Sequence, residues 1–105
     1  MTDVRVVIVS GPDLDTLRAL ARTLVDERLI ACANLLDPVT SVYRWQGAIE
    51  EAAECVALLK TTTARLEALQ TRVLELHPYH VPELVVLPVA GGSERYLDWV
   101  RDAAS

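Results

Sequence analysis

Few residues in this 105-residue chain could do chemistry beyond packing: Cys32, Cys55, His77, His80, Lys60 and the carboxylates Glu50, Glu51, Glu54 and Glu83. A thiolate is a soft donor suited to copper or zinc, so Cys32 is the leading candidate for a metal contact, completed by imidazole or carboxylate groups from another subunit. Against this stands a bland reading, a small hydrophobe buried in a strand, because free cysteine is among the most buried residue types. His77 and His80 are three apart, but Pro78 breaks the helix between them, so the spacing that sets two ligands on one helical face does not apply. His77 stands instead at a predicted helix C-terminus, where an imidazole favours the dipole or bonds a terminal carbonyl. Lys60 suits a salt bridge to Glu54 or Glu83, or an anionic ligand. The glutamates at 50, 51 and 54 offer hard oxygens, within a charge run that reads as a solvated face. A cysteine and a histidine are the minimum for nucleophilic catalysis, yet neither has an activating context and Ser10-Gly11 is no nucleophile elbow. No catalytic residue is assigned, and the chain is not expected to be an enzyme.

The elements that must position these groups follow from periodicity. Val4 to Val9 is an apolar, β-branched run that predicts a central strand covered on both faces, ended by Ser10-Gly11-Pro12. Asp13 is a predicted cap for an amphipathic helix with Leu14, Leu17, Leu20, Ala21, Leu24 and Val25 on one face. A run of strand formers, Val39, Thr40, Val42, Tyr43 and Trp45, ends at Gln46-Gly47, where the chain is expected to reverse. Ala31 to Trp45 then forms one arm of a hairpin spanning roughly 45 Å, with Pro38 marking a bulge, a kink or an edge position. The other arm is ambiguous: Ile49, Ala52, Ala53, Val56 and Leu59 recur at helical spacing, while the turn at Gly47 requires a partner strand. Thr61 to Thr63 offer N-caps for a second helix over Leu66, Leu69, Val73 and Leu76, stopped by Pro78. A strand over Glu83 to Val89 follows, then Gly91-Gly92 and a short helix capped by Ser93 with Tyr96, Leu97 and Val100 on one face. The order is β-α-β-β-α-β plus a terminal helix, an α+β ferredoxin-like domain spanning 1–105.

Composition narrows the partners. A net charge of -5 and the absence of any basic run argue against nucleic acid. No apolar run approaches the roughly 20 residues of a membrane span, and the N-terminus lacks the basic start of a signal peptide. The expected compartment is the cytoplasm, with both cysteines as free thiols. An apolar content of 51% with only 5% aromatics fits a chain that buries part of its surface in an oligomer. The hairpin gives that oligomer its interface: Val42, Trp45 and Ile49 near the tip have no cover within a domain this small.

Five stretches together, Ala31-Cys32-Ala33-Asn34, Ser41 to Gly47, Lys60-Thr61-Thr62, His77-Pro78-Tyr79 with Val81-Pro82-Glu83, and Tyr96-Leu97-Asp98-Trp99, resemble the CutA1 family of divalent-cation tolerance proteins. The resemblance implies a homotrimer of ferredoxin-like subunits, similar to the PII signalling proteins, with long hairpins packing around the three-fold axis. It also implies a link to metal tolerance and to binding of copper or another divalent cation, with no organic cofactor. Carried over by position, Cys32, His77 and Glu83 are the metal candidates, while Tyr43, Trp45, Lys60, Tyr79 and Trp99 belong to an inter-subunit cleft or interface. Cys55 and His80 fall outside the motifs. The alternative function is a PII-like signalling or adaptor trimer that binds a small anionic metabolite at inter-subunit clefts; under either reading an unidentified protein partner is a candidate. The tight Gln46-Gly47 turn and the lack of a glycine-rich phosphate loop count against nucleotide binding.

Overall fold

Strand β1 (Val4–Gly11) is hydrogen-bonded on both sides, running antiparallel to β3 (Ala48–Thr62) and to β4 (Leu84–Pro88) in a computed structural model that describes residues 2–105. With β2 (Cys32–Trp45) on the far side of β3, the sheet order is β2-β3-β1-β4. Helices α1 (Leu14–Asp26) and α2 (Leu66–Leu76) cover one face, and α3 (Glu94–Ala103) follows β4. Alternation along the strands builds the core. Val7 and Val9 of β1 and Cys55, Ala57 and Leu59 of β3 point toward Leu17, Leu20 and Leu24 of α1 and Leu69 and Val73 of α2. The expected architecture is therefore present, including strand rather than helix over residues 48–62, because β3 has strand partners on both sides.

Three local expectations are corrected. First, β1 is central but is covered on only one face along most of its length. The other face carries Val6, Ile8, Leu58, Val85 and Leu87, and α3 reaches only one end of it, packing Leu97, Val100 and Ala104 on Val4 and Ala31. Second, Thr61 and Thr62 do not cap α2. They are buried in the last turn of β3, with the Thr61 hydroxyl donating to the Leu29 carbonyl at 2.7 Å, and a 3-10 turn at Thr63–Arg65 leads into the helix without a side-chain cap. Third, Ser93 occupies the N-cap position of α3 but makes no capping hydrogen bond. Asp13 does cap α1, accepting from the Thr16 amide at 2.8 Å.

The β2–β3 hairpin dominates the shape. Its turn places Gln46 at φ 49° and Gly47 at φ 83°, the pair of positive values that a two-residue turn needs to match the twist of its strands. The molecule is 44 Å long against 26 and 23 Å across, with a radius of gyration of 14.2 Å, larger than the roughly 13 Å of a compact chain of this length. At the tip Val42, Trp45 and Ile49 are 63%, 49% and 72% exposed. Midway along β2 the register shifts between Leu36, opposite Val56, and Val39, opposite Glu54, so Asp37 and Pro38 oppose the single residue Cys55. This is a β-bulge, one of the readings of Pro38, on what is also an edge strand.

Candidate functional site

Strand pairing sets Cys32, Lys60 and Val6 in one row across β2, β3 and β1. The Lys60 ammonium lies 3.9 Å from the Cys32 sulfur and donates a hydrogen bond to the Asn34 side-chain oxygen, two residues further along the same face of β2. Over this row α3 lowers Tyr96, whose hydroxyl is 3.6 Å from the Cys32 sulfur. That hydrogen bond, followed by burial and by the charge of a Cys32 thiolate, raises the Tyr96 pKa above the ordinary phenol value. Tyr96 rests in turn on Trp99, ring centroids 5.7 Å apart. Cys32 is partly exposed, whereas Cys55 is fully buried in the core, where burial pushes its thiol up. Neither cysteine is in a disulfide.

A second cluster lies toward the other end of the sheet. His77, just past α2, is buried with both ring nitrogens engaged. Nε2 meets the Ser10 carbonyl at 2.6 Å, and Nδ1 accepts from the Tyr79 amide at 3.1 Å. A carbonyl can only accept, so Nε2 carries the proton and no lone pair is left for a metal. His77 is thus held structurally, but by the Ser10 carbonyl of β1 and the Tyr79 amide rather than by a terminal carbonyl of its own helix. Tyr79 packs its ring at 4.9 Å from that of His77 and donates from its hydroxyl to Glu54 at 2.7 Å. Burial, then the hydrogen bond and negative charge of Glu54, push the Tyr79 pKa up to about 12.

The three metal candidates do not meet within one chain. His77 touches Ser10, opposite Val56, four residues along β3 from Lys60 and so roughly 13 Å away. Glu83 is exposed and precedes β4, whose first residue pairs with Val9 rather than with the Cys32 row. Among the described residues no group of three or more His, Cys, Asp or Glu could hold a metal ion. The donors around Cys32 are an amide oxygen and a phenol, with an ammonium beside them that opposes a cation, so the set in a single chain does not fit one. Lys60 makes no ion pair with Glu54 or Glu83. Of the aromatic candidates, Tyr43, Trp45 and Trp99 are 42%, 49% and 47% exposed.

Two neighbours of Cys32 were not singled out as site residues by the sequence reading, Asn34 and Tyr96. Asn34 was accessible in principle, since residues two apart on a strand share a face. Tyr96 is 64 residues away, and only the docking of α3 brings it in.

Comparison with known proteins agrees with this architecture. The CutA1 divalent ion tolerance protein family matches residues 5–103. The divalent-cation tolerance protein CutA of Thermus thermophilus is 48% identical over 97 residues, covering 92% of this chain and 94% of that protein. Human protein CutA is 42% identical over 93 residues, 89% of this chain and 52% of that protein. The crystal structure of CutA from Xylella fastidiosa superposes with a TM-score of 0.96 at 38% identity, covering 99% of this chain and 100% of the other. The structure from Archaeoglobus fulgidus, described as a periplasmic divalent cation tolerance protein, gives 0.93 at 26% identity, covering 97% and 99%. With nearly its whole length matched in sequence and in fold, this chain belongs to the CutA1 divalent ion tolerance family.

Proposed function

We propose that the protein serves in tolerance to divalent cations as a homotrimer that takes up copper or another soft cation at sites completed between subunits, with Cys32 supplying the thiolate. The observation that carries this reading is the open sheet face. On the same face as Cys32, Val85 and Leu87 are exposed and Val6, Ile8 and Leu58 only partly buried by their own chain, and the projecting hairpin adds an exposed apolar tip. Packing of copies on that face would bury it and bring donors from a second chain toward a sulfur whose own chain supplies an incomplete set. The names of the relatives, divalent-cation tolerance proteins, support the cation as cargo. The role is one of binding rather than catalysis. Two free thiols suit a reducing compartment, the cytoplasm, although one relative is described as periplasmic. Among the described residues no helix is long and apolar enough to cross a membrane. Equilibrium dialysis of the purified protein against Cu(I), Cu(II) and Zn(II), beside Cys32→Ser, tests the reading. Stoichiometric binding in the native protein and its loss in the variant are expected, and equal binding by both removes Cys32.

The alternative, a PII-like trimer responding to a small anionic metabolite, draws support from Lys60, whose ammonium faces only neutral or thiol groups. A thermal-shift screen with anionic metabolites separates the two readings, because a ligand raises the unfolding temperature with its concentration.

A further inference from the structure

Lys60 is the only lysine in the chain, and its side chain is aimed at the only partly exposed cysteine. We infer that Cys32 and Lys60 form an oxidation-sensitive site, at which a peroxide joins the two side chains through a sulfur–nitrogen bond.

Several independent features place this pair. The two residues are direct cross-strand partners on one sheet face, where Cβ atoms lie about 4.5–5.5 Å apart, so the flexible lysine closes the gap without backbone movement. The amine already stands 3.9 Å from the sulfur. Among the described residues it is held by no carboxylate, in contrast to Arg18, Arg72 and Arg101, each of which is in an ion pair. In the single chain the Cys32 sulfur is partly exposed and Cys55 fully buried, and a peroxide is small enough to enter a cleft between packed copies, so the chemistry is confined to one thiol.

The step balances. The Cys32 thiolate attacks one oxygen of hydrogen peroxide, breaking the O–O bond and giving a sulfenic acid and hydroxide, with sulfur oxidised and peroxide reduced. The hydroxide takes a proton from the Lys60 ammonium and becomes water. The free amine attacks the sulfenic sulfur, the S–N bond forms, the S–O bond breaks, and the oxygen leaves with two protons as a second water. The Tyr96 hydroxyl, 3.6 Å from the sulfur, is placed to hydrogen-bond the departing oxygen. Sulfenic acids condense with nitrogen in this way. Two equivalents of a thiol reductant reverse the link, returning Cys32 and Lys60 and yielding one disulfide of the reductant. The product ties β2 to β3 at the base of the hairpin. The inference does not depend on cation binding.

The endoprotease Lys-C cuts the unmodified chain once, after Lys60. Protein treated with hydrogen peroxide should lose two hydrogens in intact mass, resist Lys-C at Lys60, and regain cleavage after dithiothreitol. Lys60→Arg keeps a cation but not the amine, and should instead accumulate a sulfenic acid at Cys32 that dimedone traps. Full Lys-C cleavage of the peroxide-treated native protein, with Cys32 unmodified or recovered as sulfinic acid, overturns the inference, as does a link that retains an oxygen.

Discussion

The hydroxyl of Tyr79 donates a 2.7 Å hydrogen bond to Glu54, fastening the connection after α2 to the middle of β3. A hydrogen bond to a carboxylate is stronger than one between neutral groups, so Tyr79→Phe should cost about 1–2 kcal/mol, read as a lower urea midpoint with an unchanged slope. The same contact has a signature at high pH. The folded pKa of Tyr79 is raised from 10.0 to about 12, so the folded state holds its proton where the unfolded chain has lost it. The resulting stability is complete below pH 10 and declines as pH rises toward about 12. Absorbance titration should find one of the three tyrosines ionising near that value, and Tyr79→Phe should abolish that late phase.

Gly11 closes β1 against the first turn of α1. A Cβ added there would lie 2.7 and 2.8 Å from Cδ2 and Cγ of Leu17, which is fully buried. Gly11→Ala must displace Leu17 or separate strand from helix, at a cost of about 1–3 kcal/mol. Thermal unfolding measures it, and in a double-mutant cycle the cost of Gly11→Ala should shrink when Leu17→Ala has already removed the clashing side chain, although Leu17→Ala itself destabilises by emptying the core.

The hairpin tip supplies the test of assembly. Trp45→Glu puts a charge on an exposed indole position that touches no core residue of its own chain. The fold of the single chain should therefore persist by circular dichroism while sedimentation equilibrium shifts from trimer toward monomer. A native protein that sediments as a monomer at micromolar concentration defeats the trimer outright.

Most of the fold was legible because the strongest signals were local. The apolar run at Val4–Val9, the Asp13 cap, the Gln46-Gly47 turn and the Pro38 break each act within a few residues. Residues 48–60 were not legible from local pattern. Ala52, Ala53, Val56 and Leu59 match a helix, and only β1 and β2 on either side decide for strand. The threonines after Lys60 misled for a related reason: buried at a strand end, Thr61 satisfies its hydroxyl on Leu29 rather than on a helix terminus. The site was legible to the extent that it lies on one pair of strands. Cys32 and Lys60 could be named but not joined, since which residue faces which depends on a register that the bulge interrupts, and Tyr96 arrives from the far end of the chain.

That bulge reverses the alternation of β2. Below it the even-numbered residues Cys32, Asn34 and Leu36 stand opposite even-numbered partners in β3; above it the odd-numbered Val39, Ser41, Tyr43 and Trp45 take over that side. Two of the aromatic residues and the thiol thus look out from the same surface because the bulge takes up the odd residue between them. Length changes in this arm are accordingly taken up at the bulge: loss of the one extra residue at Asp37 or Pro38 would heal it, with Val39 still opposite Glu54 and with Tyr43 and Trp45 on the side they now occupy, whereas straightening the strand with every residue retained would roll Tyr43 and Trp45 to the opposite side and put Val42 and Arg44 in their place.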